Sequence, residues 1–132
     1  MLKMRSVIQK KSCGSVKIFW LDKKLLDARI KTAVKKMLKE RKDIDDVVLF
    51  GSFAEGRAGV SSDVDILIIV KDSDKSFIDR QLDYRDYFGD IGLNVDIFVY
   101  TQEEAQKHNP FIEKALSTGL HFSLDRKGGG IV

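Results

Sequence analysis

Residues 46–70 read DVVLFGSFAEGRAGVSSDVDILIIV, and this stretch decides the fold. It opens with a short β-branched, apolar run ending at Phe50, which is typical of a buried strand. The segment over residues 51–62 contains glycine and serine and predicts a loop. Residues 63–70 predict a second strand, which is apolar on both faces beyond its first three residues. We therefore expect this strand at the centre of a sheet that is covered on both sides.

The flanking sequence predicts helices and further strands. Asp22 is placed to cap a helix whose apolar residues recur at three- and four-residue spacing over residues 26–38. The other expected elements are a strand over residues 16–20, an amphipathic helix over residues 77–89, a strand over residues 94–100, a capping-box helix from Thr101, a helix from Asn109-Pro110 to Gly119 and a short strand over residues 120–122.

Length and composition describe a single globular domain. The chain has 132 residues, 43% of them hydrophobic and 33% charged. No apolar run approaches the ~18 residues that a membrane span needs, so we expect no membrane contact. The lone Cys13 excludes an intramolecular disulfide, and we expect a cytoplasmic protein. We predict a flexible basic tail over residues 1–14, the folded domain over residues 15–125 and a flexible end over residues 126–132.

The net charge of +3 is unevenly distributed along the chain. Residues 1–42 contain 14 Lys and Arg but three acids, whereas residues 43–132 contain nine bases and 17 acids. Such an asymmetry is compatible with contact to a polyanion, or with a solvated basic helix face beside an acidic body. We favour the solvated face, because no aromatic residues interleave the lysines as base-stacking surfaces usually require.

Three carboxylates lie in or at the start of predicted apolar strands: Asp63, Asp65 and Asp96. Asp63 and Asp65 point to the same face because strand side chains alternate, and Asp96 joins them if its strand is adjacent. Buried carboxylates are costly without a compensating positive charge, and the only nearby base is Lys71, at the far end of its strand. The compensating charge is then Lys or Arg, or a hard cation. An all-oxygen set suits Mg²⁺, and two such ions can clamp the attacking and leaving oxygens of a phosphoryl displacement.

Gly51 and Ser52 follow the first buried strand, where a phosphate can be held. Glycine lets a backbone approach an anion closely, and Ser52 at the start of an expected short helix offers a hydroxyl and backbone N–H groups. A Gly-Ser pair is also typical of a plain turn, and Asp63 and Asp96 are equally compatible with a turn cap and a surface acid. Ser62 is a candidate for orienting Asp63 or for contacting a nucleotide. The spacing to the downstream aspartates favours the functional interpretation.

The combination resembles the signature of the DNA polymerase β nucleotidyltransferase superfamily, and is most similar to its smallest members, the minimal nucleotidyltransferases. The motifs that carry this resemblance are Gly51-Ser52, a ten-residue gap, Asp63-Val64-Asp65 and the later Asp96. Asn109-Pro110-Phe111 resembles the start of the family's last helix. Many relatives carry a base where this chain has Glu55, and Arg57 is the candidate substitute.

The resemblance implies an α/β (α+β) fold class, with a small mixed β-sheet flanked by helices in a palm-like arrangement. It implies that Asp63, Asp65 and Asp96 are catalytic and ligate two Mg²⁺ ions. It implies that Gly51 and Ser52 hold the β- and γ-phosphates of a nucleoside triphosphate. The candidate nucleotide-binding set is Gly51, Ser52, Arg57 and Ser62.

The implied reaction is Mg²⁺-dependent transfer of a nucleoside monophosphate, with AMP from ATP expected, to an acceptor hydroxyl. In the family, minimal members often pair with a helical higher-eukaryote-prokaryote nucleotide-binding (HEPN) partner, and some act as antitoxins that adenylylate it. Two alternatives remain open: a non-catalytic antitoxin that retains the fold, and 3′-end nucleotide addition to a nucleic acid, which the basic first 42 residues suggest.

Overall fold

A computed structural model describes residues 6–122. In chain order, the elements are β1 (Ile8–Cys13), β2 (Val16–Leu21), α1 (Lys23–Glu40), β3 (Ile44–Phe50), β4 (Val64–Val70), α2 (Phe77–Arg80), two 3-10 turns (Gln81–Asp83 and Arg85–Phe88), β5 (Val95–Thr101), α3 (Gln102–Gln106), α4 (Pro110–Thr118) and β6 (Leu120–Phe122). None of the helices in this part of the chain is long and apolar enough to cross a membrane.

The main sheet has four strands in the order β5-β4-β3-β6. β3 pairs antiparallel with both β4 and β6, whereas β4 and β5 run parallel, so the sheet is mixed as predicted. β1 and β2 form a separate antiparallel ribbon. The predicted fold class, a small mixed sheet flanked by helices, is confirmed.

β4 is buried on both faces, which confirms its predicted central position. Ile66 and Ile68 belong to the core that contains the apolar stripe of α1. Leu67 and Ile69 belong to a second core with Ile112 of α4. The residues that α1 buries, Leu26, Ile30, Ala33, Val34, Met37 and Leu38, are those that the helical spacing predicts.

Helix caps fix the ends of several elements where the sequence predicts them. The Asp22 carboxylate accepts a hydrogen bond from the Leu25 N–H at 3.1 Å, so Asp22 is the N-cap of α1. Thr101 and Glu104 form the expected capping box at the start of α3. Asn109 caps α4 by accepting bonds from two backbone N–H groups, and Gly119 ends that helix. These caps satisfy backbone groups that a helix end otherwise leaves unpaired.

The predicted flexible tail is wrong for residues 8–13, which form β1 and pair with β2 along its full length. The folded part therefore begins before residue 15. The signal was missed because consecutive lysines occupy β1 and neither face of the outer ribbon is buried, so no alternation marks a strand. Residues 1–5 of that predicted tail, and the predicted flexible end over residues 126–132, lie outside the described residues.

The predicted helix over residues 77–89 is also wrong in part. Only Phe77–Arg80 is α-helical, and two 3-10 turns follow. Arg80 is buried and donates to the Val99 carbonyl oxygen and to Glu104, which ties α2 to the end of β5. The two 3-10 turns that follow place Tyr84 and Phe88 in the core.

Gly119 is required for close packing between α4 and the sheet. A Cβ at this position would overlap the Val48 side chain and lie 2.9 Å from the Leu49 carbonyl oxygen. We expect Gly119→Ala to lower the free energy of unfolding by about 1–3 kcal/mol, the usual cost of overpacking. Gly59→Ala is the matched control, because a Cβ there meets no atom within 4 Å, and it should change stability by less than about 0.5 kcal/mol. Urea unfolding of both variants measures this difference, and equal stabilities would contradict it.

Candidate active site

The three predicted aspartates lie at the same end of two adjacent strands. Asp65 is the second residue of β4 and Asp96 is the second residue of β5. The parallel register places Asp65 directly beside Asp96, so both side chains point to the same face of the sheet. Asp63 immediately precedes β4 and is exposed. The structure therefore brings the trio together, on the α4 side of the sheet.

The electrostatics of this trio are unfavourable without a cation. The pKa of Asp65 is raised above its ordinary value, first because the carboxyl is partly buried and then because Asp96 and Asp63 lie nearby. Within residues 6–122, none of the three forms an ion pair with Lys, Arg or His. A cation bound beside such a group would offset the repulsion among its carboxylates.

Gly51 lies directly against the carboxylate of Asp65. It follows β3, its φ is +79°, and a Cβ on it would overlap the Oδ2 atom of Asp65. Both features require glycine: the left-handed backbone disfavours other residues, and the close approach leaves no room for a side chain. The loop after β3 therefore packs against the Asp65 carboxylate of β4. Any phosphate held by this loop would lie next to Asp65.

The expected short helix after Ser52 is not formed. Residues 52–56 are consecutive turns, in which the Glu55 N–H donates to the Gly51 carbonyl at 3.0 Å and the Arg57 N–H donates to the Ser52 carbonyl at 2.8 Å. Gly56 takes a positive φ of +75°, which ends any helical continuation. A helix dipole at Ser52 is therefore absent, and the loop offers a hydroxyl and turn N–H groups instead.

Arg57 and Ser62 make contacts within the same loop. The Nη2 atom of Arg57 lies 2.7 Å from Oε2 of Glu55, the residue for which it was expected to substitute. The Ser62 hydroxyl oxygen accepts a hydrogen bond from the Gly59 N–H at 2.9 Å, so Ser62 caps its own loop rather than Asp63. The structure thus gives Arg57 an exposed ion pair and Ser62 a loop-stabilising bond.

The carboxylates fit a cation that takes part of its coordination from a substrate. Among residues 6–122, no group of three or more His, Cys, Asp or Glu is arranged to hold a metal ion on its own. Mg²⁺ usually takes one or two protein carboxylates and completes its shell with phosphate oxygens and water. The adjacent pair Asp65 and Asp96, with Asp63 exposed beside it, matches this requirement.

An aromatic wall beside the acids is a feature that the sequence analysis missed. Phe50 is the β3 partner of Asp65, and Phe98 lies two residues after Asp96, so both rings share the face of the carboxylates. Phe111, at the start of α4, packs against them with ring centroids 5.4 Å from Phe50 and 5.1 Å from Phe98. The two-residue spacing after Asp96 was the available signal for Phe98. The position of Phe111 depends on how α4 crosses the sheet.

A cleft of about 660 Å³ lies elsewhere, between α1 and the 3-10 turns. Its lining includes Arg29, Lys36, Arg41, Asp86 and Tyr87, and none of the three aspartates. Its size alone does not make this cleft the reaction site, because it lacks the carboxylate pair Asp65 and Asp96 and the loop over residues 51–62, which we call the glycine loop.

His121 has a structural role at the other edge of the sheet. Its Nε2 atom lies 2.8 Å from the Leu116 carbonyl oxygen, and its Nδ1 atom lies 2.8 Å from Oδ2 of Asp46. The bond to Leu116, followed by the contact with Asp46, raises the pKa of the imidazole above its ordinary 6.5. A protonated ring can donate both bonds, so protonation links α4 and β6 to β3.

This geometry predicts a pH-dependent contribution of His121 to stability. A raised folded-state pKa means that the stabilisation is complete below pH about 6.5 and is lost as pH rises through the folded pKa. We expect the difference in melting temperature between the wild type and His121→Gln to shrink as the pH rises from about 6 to about 8.5. NMR titration of the ring supplies the direct check. A His121 pKa at or below 6.5 would contradict the prediction.

The chain is similar to known proteins of one family. The family model "Polymerase beta, Nucleotidyltransferase" matches residues 32–122. A Methanocaldococcus jannaschii protein named "Putative protein adenylyltransferase MJ1379" is 30% identical over 87 residues, which cover 65% of this chain and 83% of the relative. Another, "Putative protein adenylyltransferase MJ1305", is 38% identical over 90 residues, which cover 64% of this chain and 60% of the relative.

The fold is shared with a solved structure. The crystal structure of a "putative nucleotidyltransferase" from Sulfolobus solfataricus matches with a TM-score of 0.53 at 22% sequence identity, covering 82% of this chain and 93% of that chain. The family match includes β3, the glycine loop, β4 and β5, which together carry the three aspartates. The chain therefore belongs to the polymerase β nucleotidyltransferase family and is a nucleotidyltransferase enzyme.

Proposed function

We propose that this enzyme transfers AMP from ATP to a hydroxyl group on a partner protein, with Mg²⁺ as cofactor. The observation that carries the proposal is the pairing of Asp65 with Asp96 beneath the Gly51 loop. Two relatives bear the name protein adenylyltransferase, which supports both the nucleotide and the kind of acceptor. The proposal includes a cytoplasmic setting, where ATP and Mg²⁺ are available.

Asp63, Asp65 and Asp96 are the residues that would hold Mg²⁺, as two ions in this proposal. When bound, Mg²⁺ neutralises the triphosphate and stabilises the charge that develops on the leaving pyrophosphate. Gly51 and Ser52 hold the terminal phosphates through backbone N–H groups and the Ser52 hydroxyl. Arg57 and Ser62 complete the proposed nucleotide-binding set, and both make contacts within the loop that presents these donors.

Asp96 is the proposed proton acceptor. It is exposed, whereas Asp65 is partly buried, so an incoming hydroxyl can reach Asp96 from solvent. The acceptor oxygen bonds to the α-phosphorus, the bond from that phosphorus to the bridging oxygen breaks, pyrophosphate leaves and the hydroxyl proton passes to Asp96. The partly exposed Phe111 ring lies at the same face, where it packs against Phe50 and Phe98.

A HEPN-type helical protein is the proposed partner, as in a toxin–antitoxin pair. The family's minimal members often pair with such proteins, and residues 6–122 consist of the four-stranded sheet with its helices and the β1–β2 ribbon. No separate acceptor-binding domain lies within residues 6–122, and in this proposal the partner itself presents the acceptor hydroxyl.

The test is incorporation of label from α-labelled ATP into a protein that co-purifies with this chain from its native source. We expect label in the partner with Mg²⁺ and none with EDTA, together with the mass of one AMP on a hydroxyl-bearing residue. A partner that is bound and neutralised without ATP and without label would show instead a non-catalytic antitoxin. Label added to the 3′ end of a nucleic acid would replace the proposed protein acceptor.

A further inference from the structure

We propose that the β1–β2 ribbon, residues 8–21, binds single-stranded nucleic acid. The ribbon lies outside residues 32–122, the range that the family model matches. Its strand register places Lys10 directly opposite Phe19, and Lys17 lies two residues from Phe19 on the same strand. All three side chains share one face of the ribbon.

The aromatic rings of the ribbon are accessible. Phe19 is 53% exposed and Trp20 is 46% exposed, although large aromatic residues are usually well buried. Only the base of the ribbon is anchored: Ile8 and Leu21 pack against the main core, and the Asp22 N–H donates to the Val7 carbonyl. Beyond this base, β1 and β2 are exposed along their length. Alternation places Trp20 on the opposite face from Phe19, so Phe19 is the ring that can stack on a planar ligand beside Lys10 and Lys17.

The charge of the ribbon is of one sign. Residues 6–21 contain Lys10, Lys11 and Lys17 and no acidic residue. The sequence remains basic into α1: residues 6–42 contain 12 Lys and Arg and three acids. A surface that combines exposed cations with accessible rings fits a ligand that combines phosphates with planar bases. The expectation that no aromatic residue interleaves the lysines is wrong, because Phe19 lies directly opposite Lys10 and two residues from Lys17 on one face of the ribbon.

Single-stranded nucleic acid fits this surface better than a protein or a duplex does. Lysine is depleted at the cores of protein–protein interfaces, whereas here Lys10 is the nearest cross-strand neighbour of the exposed Phe19 ring. The bases of a duplex are stacked on each other and cannot stack on Phe19, but every unpaired base has a free face. We expect the ribbon to bind single strands of different base sequence, and to bind RNA and DNA with similar affinity.

The direct test is fluorescence anisotropy of labelled oligo(U) and oligo(dT), each of about 12 nucleotides, with the full chain. We expect both to bind at about 50 mM salt and to lose affinity as salt is raised to about 200 mM. Lys10→Gln with Lys17→Gln should reduce the slope of log affinity against log salt by about 1.4. No binding at low salt, or binding that salt does not weaken, would overturn the proposal, as would tighter binding of the matching duplex.

Substitutions at Phe19 separate stacking from simple apolar contact. Phe19→Leu keeps an apolar side chain without a ring and should weaken binding at least about fivefold, whereas Phe19→Trp should retain affinity. Phe77→Leu is the matched control, because Phe77 is 41% exposed on α2, outside the ribbon, and its loss should leave affinity unchanged. Equal affinities for the Leu and Trp variants of Phe19 would overturn the stacking role. Self-association that Phe19→Leu abolishes, seen by sedimentation, would show that a second copy covers the ribbon instead.

Discussion

Asp65→Asn is expected to abolish AMP transfer while making the metal-free protein more stable. Asparagine keeps the size of the side chain but removes the charge that we propose holds the cation, so the proposed transfer should fall roughly a hundredfold to a thousandfold. The opposite effect on stability follows from the raised pKa of Asp65, which is caused by burial and by Asp96 and Asp63. The ionised carboxylate costs folding free energy at neutral pH, and the variant does not pay this cost.

The pH dependence of stability determines whether Asp65→Asn melts above or below the wild type. A folded-state pKa above the unfolded value means that stability is lost as pH rises from the ordinary 3.8 through the folded pKa. We therefore expect Asp65→Asn to melt a few degrees above the wild type at pH about 7, and at a similar temperature at pH about 3. Differential scanning calorimetry at both pH values measures the shift.

Stabilisation by a bound ligand distinguishes two interpretations of the three aspartates: a metal-binding site, or a group of carboxylates that only repel one another. Mg²⁺ with ATP should raise the melting temperature of the wild type by binding the folded state, but should raise that of Asp65→Asn much less. Asp45→Asn is the control, because Asp45 is an exposed β3 residue outside the trio, and it should behave as the wild type in every measurement. Transfer by Asp65→Asn at the rate of Asp45→Asn would show that the trio is not the reaction site.

Local sequence signals predicted most of the fold because they act over a few residues. Asp22 and Thr101 cap helices through bonds to backbone groups three residues away, so their effect is visible in the sequence. The burial of β4 on both faces follows from consecutive apolar residues. Pairing between distant segments has no such signature. Within the ribbon, β2 lies where a strand is predicted over residues 16–20, but β1 was missed because its consecutive lysines conceal its strand character.

The candidate site was only partly predictable for the same reason. Asp63 and Asp65 share a face by alternation alone, but Asp96 joins them because β5 pairs parallel to β4 in a register that places Asp65 beside it. From the sequence, the glycine at position 51 was interpreted as a residue that lets the backbone approach an anion closely. The structure adds a second cause, the approach of the Asp65 carboxylate, which depends on the antiparallel register of β3 and β4.

Gly51→Ala is therefore expected to damage both stability and catalysis. The positive φ of +79° is strained for alanine, and the new Cβ would overlap Oδ2 of Asp65. Together, the backbone strain and the forced displacement should lower the free energy of unfolding by about 2–4 kcal/mol. Displacing the carboxylate by about 1 Å should reduce transfer roughly a hundredfold, because the reacting groups depend on their placement.

Gly56→Ala isolates the contribution of the contact with Asp65. Gly56 belongs to the same loop and has a φ of +75°, but a Cβ on it meets no atom within 4 Å. Alanine there should cost about 1 kcal/mol through backbone strain alone and should leave transfer within a few-fold of the wild type. Urea unfolding and label transfer, measured on both variants, give the comparison. If Gly51→Ala lost no more activity than Gly56→Ala, the close approach of the loop to Asp65 would have no part in catalysis, and Gly51 would serve only the turn.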